Sequence, residues 1–303
     1  MAAGRPGDAC RAEGDSLRRF VIERSDVRGE LVHLDASWQA IASRRPYPPP
    51  VRRLLGEAAA AAVLLSATVK MAEGAITLQA QGEGPVPLLV VQATGWRTLR
   101  GLAHWRDPVP EDAAPGALLG DGRLVVTLDP GETGRERYQG IVPLAGRTLA
   151  ECIEGYFARS EQLPTRLWLA TDERSAAGLL LQRMPGGGDD PDTWERAVHL
   201  AATLTPVELL GLPAETLLHR LYHQEDVRLY GREPVAFRCG CSRARIEEML
   251  RRLGPDEARA ILAEEGRIVV DCEFCGQRYE LDAVDVERVF AAAGQPAVPT
   301  TRH

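Results

Sequence analysis

Four cysteines near the C-terminus supply the most recognisable chemistry in this sequence. Cys239 and Cys241 form a C-x-C pair, and Cys272 and Cys275 form a C-x-x-C pair after thirty intervening residues. Four thiolates gathered from two short knuckles are what a closed tetrahedral zinc site requires. The spacing therefore predicts one zinc ion bound by all four cysteines, with an iron–sulfur cluster as the minor alternative.

The same four sulfurs are also two pairs that lie close enough in the sequence to form disulfides. Because thiolates both bind zinc and react with oxidants, the cluster is a candidate redox switch as well as a metal site. The simpler interpretation is a zinc ion that only holds a small module together, which is worth about 10–16 kcal/mol in zinc-finger peptides. The two interpretations differ in whether an oxidant reaches the sulfurs. Four protein ligands leave no position for water, which argues against catalytic zinc.

Other candidate residues carry weaker signals. His219 and His223 lie four residues apart on a predicted helix, but the sequence offers no third ligand nearby, so we expect two surface or interface histidines. Cys152 lies on an apolar helical stripe and is expected to be a small buried side chain, and Cys10 falls in an N-terminal tail. The P-loop, dinucleotide, H-E-x-x-H and G-x-S-x-G motifs do not occur in the sequence, and we expect no enzyme activity.

Composition and charge argue against several classes of function. The chain has 303 residues and a net charge of −7, and residues 237–290 contain nine arginines against twelve acidic residues, a net charge of −3. Such a surface does not favour nucleic-acid binding. No signal-peptide pattern is visible, and the longest apolar run, residues 58–69, is shorter than the roughly 20 residues that cross a bilayer. We therefore expect a cytoplasmic protein that binds neither nucleic acid nor membrane, where close-spaced cysteines serve metal or redox chemistry.

The segments that must position the cysteines follow from periodicity and turn signals. Short strand-like runs and two strong helices, over about 51–71 and 148–160, are followed by a Pro-Gly-Gly-Gly break. They predict an α+β fold with a large mixed sheet-and-helix domain. A helical linker and a small zinc-binding module complete it. The predicted boundaries are a disordered tail at 1–18, the N-terminal core domain at 19–184, the linker at 185–233, the redox-switch module at 234–291 and a flexible tail at 292–303.

The linker and the module each have a readable local pattern. The linker contains short amphipathic helices whose apolar stripes need a partner, so we expect them to lie on the N-terminal domain and to be only marginally stable. In the module, Ser242 is expected to cap a helix, and the C-x-x-C turn is expected to join two strands of a hairpin.

Several longer motifs give the chain a close resemblance to a known family. The matching strings are V-R-G at 27–29, L-Q-A-Q-G at 78–82, Y-Q-G-I-V at 138–142, Y-F-A-R-S-E-Q-L-P-T at 156–165, G-L-L-L-Q at 178–182 and the two cysteine knuckles. With these motifs the chain resembles the redox-regulated heat-shock chaperones of the 33 kDa chaperonin family, from about residue 19 to residue 290.

The resemblance implies a function and a mechanism. The family's members are ATP-independent holdases that protect unfolding client proteins from aggregation under oxidative and heat stress. The resemblance implies that the reduced, zinc-bound form is inactive. Oxidation is then expected to form the disulfides Cys239–Cys241 and Cys272–Cys275, to release zinc and to unfold the module, so that the linker loses its support. The active, oxidised form is expected to be a homodimer.

Two other classes of function remain open from the sequence. A zinc-ribbon nucleic-acid-binding protein would show a salt-dependent affinity for DNA or RNA, although the acidic module opposes it. A thiol-disulfide oxidoreductase would use Cys272 and Cys275, but it needs an exposed thiol of low pKa in a thioredoxin-like context, which a hairpin does not provide.

Overall fold

The computed structural model describes residues 14–69, 73–111, 113–131, 136–144 and 146–293, and it has the predicted α+β architecture. Its helices are α1 Ala36–Ala42, α2 Pro49–Thr68, α3 Pro115–Leu119, α4 Leu149–Tyr156, α5 Thr193–Ala201, α6 Pro206–Gly211, α7 Ala214–Tyr222, α8 Arg243–Leu253, α9 Pro255–Glu265 and α10 Ala283–Ala293. Its strands are β1 Ser16–Ile22, β2 Val27–Leu34, β3 Ala75–Gly82, β4 Leu88–Thr94, β5 Thr98–His104, β6 Gly122–Asp129, β7 Tyr138–Pro143, β8 Thr165–Thr171, β9 Ala176–Arg183, β10 Val227–Leu229, β11 Glu233–Pro234, β12 Ala236–Phe237, β13 Ile268–Asp271 and β14 Arg278–Leu281. The chain divides into two compact units between Arg238 and Cys239.

Two six-stranded sheets organise the larger unit. The first sheet has the order β10-β1-β2-β9-β8, with β11 also paired to β1, and all its neighbours are antiparallel. The second sheet has the order β12-β5-β4-β3-β6-β7, in which only β12 runs parallel to its neighbour. Most strands are sequence neighbours joined as hairpins, which explains why alternation and turn signals predicted them.

Helix α2 packs against strands of both sheets and carries the main hydrophobic core. It is rich in alanine and is buried on nearly every side along its 20 residues. A helix that is apolar all round belongs inside a protein, and small side chains let a backbone approach two sheets at once. The sequence predicted this helix to run from about 51 to 71. It begins two residues earlier, with Pro49 and Pro50 at its first positions, and ends at Thr68; Lys70 and Met71 lie outside the described residues.

The outer face of the first sheet is covered by α5, α6 and α7, which we call the cover helices. Together they form a second hydrophobic cluster. The sheet contributes Phe20, Ile22, Val27, Leu31, Ala170, Ala177, Leu179 and Leu181, which we call the covered face. The cover helices contribute Trp194, Ala197, Ala201, Leu209, Ala214, Leu217, Leu218, Leu221 and Tyr222. The apolar stripes of the linker therefore lie on the N-terminal domain, where the sequence analysis expected them.

Polar contacts fasten the cover helices at their ends. Arg196 bridges Asp190 at 3.0 Å and Glu225 at 2.6 Å, and Thr205 forms a capping box with Glu208 at the start of α6. The helices have only nine, six and nine residues, lengths at which an isolated helix is unstable in water. Their stability therefore comes from packing on the sheet.

The structure differs from the predicted segments at two places. The first strand begins at Ser16, inside the predicted disordered tail, and Leu17 is fully buried; the Asp15 carboxylate also accepts the backbone N–H of Asp35 at 2.6 Å. The predicted helical linker also contains β10 and β11, which pair with β1. Strands of two or three residues are too short for an alternating pattern to distinguish them from a loop. Cys10 and residues 294–303 of the predicted tails lie outside the described residues.

The single helix predicted over 148–160 is interrupted. Thr148 caps α4 by accepting the N–H of Glu151, and the chain continues from Phe157 to Glu161 as a π-helical turn. Gln162 then adopts a left-handed conformation with φ of 54°, which ends the segment. The apolar stripe expected on this helix is buried, including Cys152.

Candidate metal centre

The smaller unit builds two cysteine knuckles from a capped helix and a hairpin. Ser242 accepts the backbone N–H of Arg245 and so begins α8 directly after Cys241, as the sequence predicted. In the turn between β13 and β14, the N–H of Cys272 donates to the carbonyl of Gln277 at 2.9 Å, and the N–H of Gly276 donates to the carbonyl of Cys272 at 2.7 Å. Gly276 has a φ of 71°, a conformation that glycine adopts without strain.

The four predicted sulfur ligands lie together. All four Sγ atoms are within 4.8 Å of one another, with 3.6 Å between Cys239 and Cys272 and 3.3 Å between Cys241 and Cys275. A tetrahedral zinc ion with Zn–S bonds of about 2.3 Å would separate its sulfurs by about 3.8 Å. The donor set and its spacing therefore fit a four-coordinate metal ion, and no other group of three or more ligating side chains is found among the described residues.

A tyrosine tunes one of the thiols. The Tyr279 hydroxyl donates to Cys241 Sγ at 3.2 Å, and this bond lowers the pKa of the Cys241 thiol to about 7. Burial raises the pKa of the Cys239 thiol. Burial and the neighbouring thiols raise the pKa of the Cys275 thiol to about 12. Four thiolates at these distances would repel one another, so a cation is the partner that this cluster accommodates. The sequence analysis missed Tyr279, whose only signal is its place on the strand that follows Cys275.

The surroundings leave the sulfurs reachable and the unit small. All four cysteines are partly exposed. The hydrophobic core of the unit consists of six buried residues, namely Leu250, Ala258, Ile268, Leu281, Val286 and Val289. A core of this size supports a fold weakly, and a metal that joins the two knuckles would supply most of the missing free energy.

The remaining candidates behave as ordinary side chains. His219 on α7 and His223, the C-cap residue that follows it, are exposed with ring centroids 6.3 Å apart. Neither belongs to a cluster of three or more ligating groups within the described part of the chain. Cys152 is buried, and that burial raises the pKa of its thiol, which makes it a poor nucleophile. Among the helices of the described ranges, none has the length and hydrophobicity needed to cross a membrane.

Comparisons with known proteins identify the class. A family model described as Hsp33 protein matches residues 15–282. The 33 kDa chaperonin of Nitrosococcus oceani is 50% identical over 289 residues, covering 95% of this chain and 99% of that protein. The 33 kDa chaperonin of Azotobacter vinelandii is 49% identical over 299 residues, with 95% and 99% covered. By fold and sequence the protein is a chaperone. It belongs to the Hsp33 family, as its motifs predicted.

A solved structure supports the fold independently. The crystal structure of the 33 kDa chaperonin from Thermotoga maritima matches with a TM-score of 0.79, covering 92% of this chain and 99% of that chain. Its sequence identity is 21%, so the likeness bears on the fold alone.

Proposed function

We propose that this protein is a redox-regulated, ATP-independent holdase, inactive when reduced and active when oxidised. One observation carries the proposal: the Sγ atoms of four partly exposed cysteines lie within 4.8 Å of one another in a unit whose core holds only six buried residues. An oxidant can reach these sulfurs, and the unit has little else to hold it together.

The cysteines Cys239, Cys241, Cys272 and Cys275 would hold one zinc ion in the reduced state. When bound, zinc would keep the four sulfurs as thiolates and join the two knuckles. Oxidation removes these ligands. Two molecules of peroxide take four electrons from the four thiolates, two disulfides form, and four protons from solution are consumed as four water molecules are released.

The disulfides that we propose are Cys239–Cys241 and Cys272–Cys275. In the reduced fold the shortest Sγ distances instead join the two knuckles, at 3.6 and 3.3 Å. Partners within a knuckle remain close after the fold is lost, because the loop that joins them is very short. Partners from different knuckles are separated by more than thirty residues and drift apart. The proposed pairing is therefore the one whose partner thiols stay close to each other as the module unfolds.

Unfolding of the module would release the cover helices. The chain from α7 to Cys239 is continuous, and the last backbone bond before the module joins the Arg238 N–H to the Leu99 carbonyl at 3.0 Å. Once Cys239 is no longer held, this end of the linker can fray. Detachment of α5–α7 would expose the covered face, and large apolar patches of this kind bind other exposed apolar chains.

The partners follow from this surface. They are unfolding proteins with exposed apolar segments, and a second copy of the oxidised chain, which would bury part of the newly exposed apolar surface in a homodimer. The activity needs no nucleotide and no catalytic residue. We place it in the cytoplasm, where thiols stay reduced until an oxidative stress occurs.

The test is suppression of aggregation of a thermally unfolding client protein. Reduced, zinc-loaded protein is compared with protein treated with peroxide at elevated temperature, while released zinc is followed with a chelating dye. We expect activity only after oxidation, with one zinc released per chain. A Cys152→Ser variant should behave like the parent, and a variant with serine at all four knuckle positions should not respond to peroxide. Equal activity in both states would contradict the switch, and activity in neither would return attention to nucleic-acid binding and disulfide turnover.

A further inference from the structure

Residues 227–238, which we call the strap, lie along the edges of both six-stranded sheets. The strap pairs antiparallel with β1, with Val227, Arg228 and Leu229 opposite Ile22, Val21 and Phe20. Its far end pairs parallel with β5. The strap therefore occupies edge positions whose backbone groups would otherwise be free to pair with another strand.

Backbone hydrogen bonds attach the first part of the strap, residues 227–230, to β1, and Arg228 adds an ion pair with Glu23. The N–H of Tyr230 donates to the Arg19 carbonyl at 2.8 Å, and the N–H of Glu23 donates to the Asp226 carbonyl at 2.8 Å. Among the twelve strap residues, all of which are described, Val235 alone has a fully buried side chain. Residues 227–230 have no fully buried side chain, so this part of the strap places few demands on sequence and another extended chain could replace it. The second part is held more specifically, by ion pairs of Glu233 with Arg19 and Arg97 and by the buried Val235.

The side chains of the strap indicate which residues a replacing chain would need. Val227 and Leu229 pack against the cluster that includes the covered face, whereas Arg228 and Tyr230 between and beside them are exposed. An apolar residue at every second position thus continues the apolar face of the sheet by one strand. In the register of this pair, the N–H groups of the exposed residues point toward β1, as that of Tyr230 does.

We propose that the β1 edge, once the strap has left it, binds client proteins by strand addition. This inference rests on the proposed function, since the edge becomes free only if oxidation loosens the linker. The client is an extended segment, antiparallel to β1, whose apolar residues at alternate positions lie on the same side of the sheet as the covered face. In the reduced protein the strap occupies this site as an internal substitute for the client.

The physical chemistry explains how one site can serve many clients. Every polypeptide has backbone N–H and C=O groups, so strand addition requires no particular sequence. Alternating apolar side chains are typical of strands that normally lie half-buried, and an unfolding protein exposes such segments before it aggregates. The edge and the covered face together select extended, β-patterned segments over helical or polar ones.

The first test uses oxidised full-length protein and a short peptide of alternating valine and threonine. One version is N-methylated at its threonines, whose amides would face β1, and a matched version is N-methylated at its valines, whose amides would face away. Loss of two backbone hydrogen bonds should weaken binding of the threonine-methylated peptide by about thirtyfold, while the valine-methylated peptide should bind like the parent. Equal binding of the two methylated peptides would overturn the proposal.

The second test places a proline on the edge itself. Strand alternation between Arg19 and Glu23 points the Val21 N–H toward the strap. Val21→Pro removes that donor from β1, which becomes an edge strand once the strap has left, and proline is tolerated on an edge strand. Oxidised Val21→Pro protein should bind the parent peptide about fivefold more weakly or worse. The control is Ile141→Pro on β7, the far edge strand of the second sheet, which should bind like the parent.

The two tests separate the edge proposal from the holdase proposal. Weak binding by Val21→Pro but not by Ile141→Pro, together with discrimination between the methylated peptides, supports strand addition. If oxidised parent protein suppresses aggregation yet the methylated peptides bind alike, the holdase stands and the edge proposal is wrong. If the oxidised parent does not suppress aggregation, both proposals are wrong. The peptide comparison does not depend on the folding of any variant.

Discussion

Weakening the packing of the cover helices should activate the protein without any oxidant. Leu217 lies on α7, is 0% exposed and belongs to the cluster that joins the cover helices to the first sheet. Leu217→Ala removes three buried carbon atoms and leaves a cavity, which in a core costs about 2–5 kcal/mol. Because these short helices owe their stability to packing, the loss should act on their detachment. A loss of about 3 kcal/mol raises the population of the detached state about 150-fold.

Amide hydrogen exchange and aggregation suppression measure the two consequences. In reduced, zinc-loaded Leu217→Ala protein, the amides of α7 should exchange about 100-fold faster than in the parent. The amides of β3 and β4 in the second sheet should keep their rates. The reduced variant should also suppress client aggregation, which the reduced parent should not. Thr216→Ala, at the exposed neighbouring position of the same helix, is the matched control and should change neither measurement.

Two results would refute this reasoning. Equal acceleration of exchange in α7 and in β3 and β4 would mean that the cover helices and the sheets open as one cooperative unit, so that no separate detachment exists. Faster exchange in α7 without any gain in aggregation suppression would mean that the covered face is not the surface that binds clients.

Three further predictions test other parts of the structure. Removal of the metal with a chelator under reducing conditions should abolish exchange protection in β13, β14 and α8 but not in β3 or β4, and retained protection in the hairpin would show that the small core suffices. Arg196→Ala removes the ion pairs with Asp190 and Glu225. Amide exchange in α7 should accelerate, but by no more than about fivefold, because partly exposed ion pairs contribute little stability. Unchanged exchange would show that these pairs do not fasten the cover helices. Burial raises the pKa of Glu30 to about 7, although Arg28 lies 4.0 Å away. As the pH rises from about 4.5 to 7, the unfolded chain releases the Glu30 proton before the folded chain does. The free energy of unfolding should therefore fall by up to about 3 kcal/mol over this range. Urea unfolding of Glu30→Gln at both ends of this range should show a smaller loss than the parent, and an equal loss would exclude Glu30 as its source.

The parts of the fold that the sequence predicted are those with a local side-chain signature. The cysteine knuckles were recognisable because four-thiolate binding requires a fixed residue type at short spacing. The hairpin strands of the second sheet followed from alternation between turn signals, and the cover helices followed from apolar stripes at helical spacing. The Ser242 cap was predictable because the backbone N–H groups in the first turn of a helix have no partner within the helix, and a serine just before the apolar stripe can accept one of them.

The parts that could not be predicted depend on contacts distant in sequence. The pairing of β12 with β5 and of β10 with β1 joins residues far apart in the chain, and two- or three-residue strands are too short for a pattern that names their partner. The start of β1 was not predicted because two consecutive arginines, at 18 and 19, interrupt the apolar pattern. In the structure Leu17 is buried while Arg19 is exposed. The hydrogen bond from Tyr279 to Cys241 depends on how the hairpin meets the first knuckle, and no local pattern encodes that approach.

The most direct test of the account follows exchange and chaperone activity in the same samples of unmodified protein before and after oxidation. The account predicts that peroxide treatment removes exchange protection from α5, α6 and α7 while β3 and β4 stay protected. It also predicts that aggregation suppression rises in proportion to that loss. Full aggregation suppression by oxidised protein whose cover helices remain protected would contradict the account.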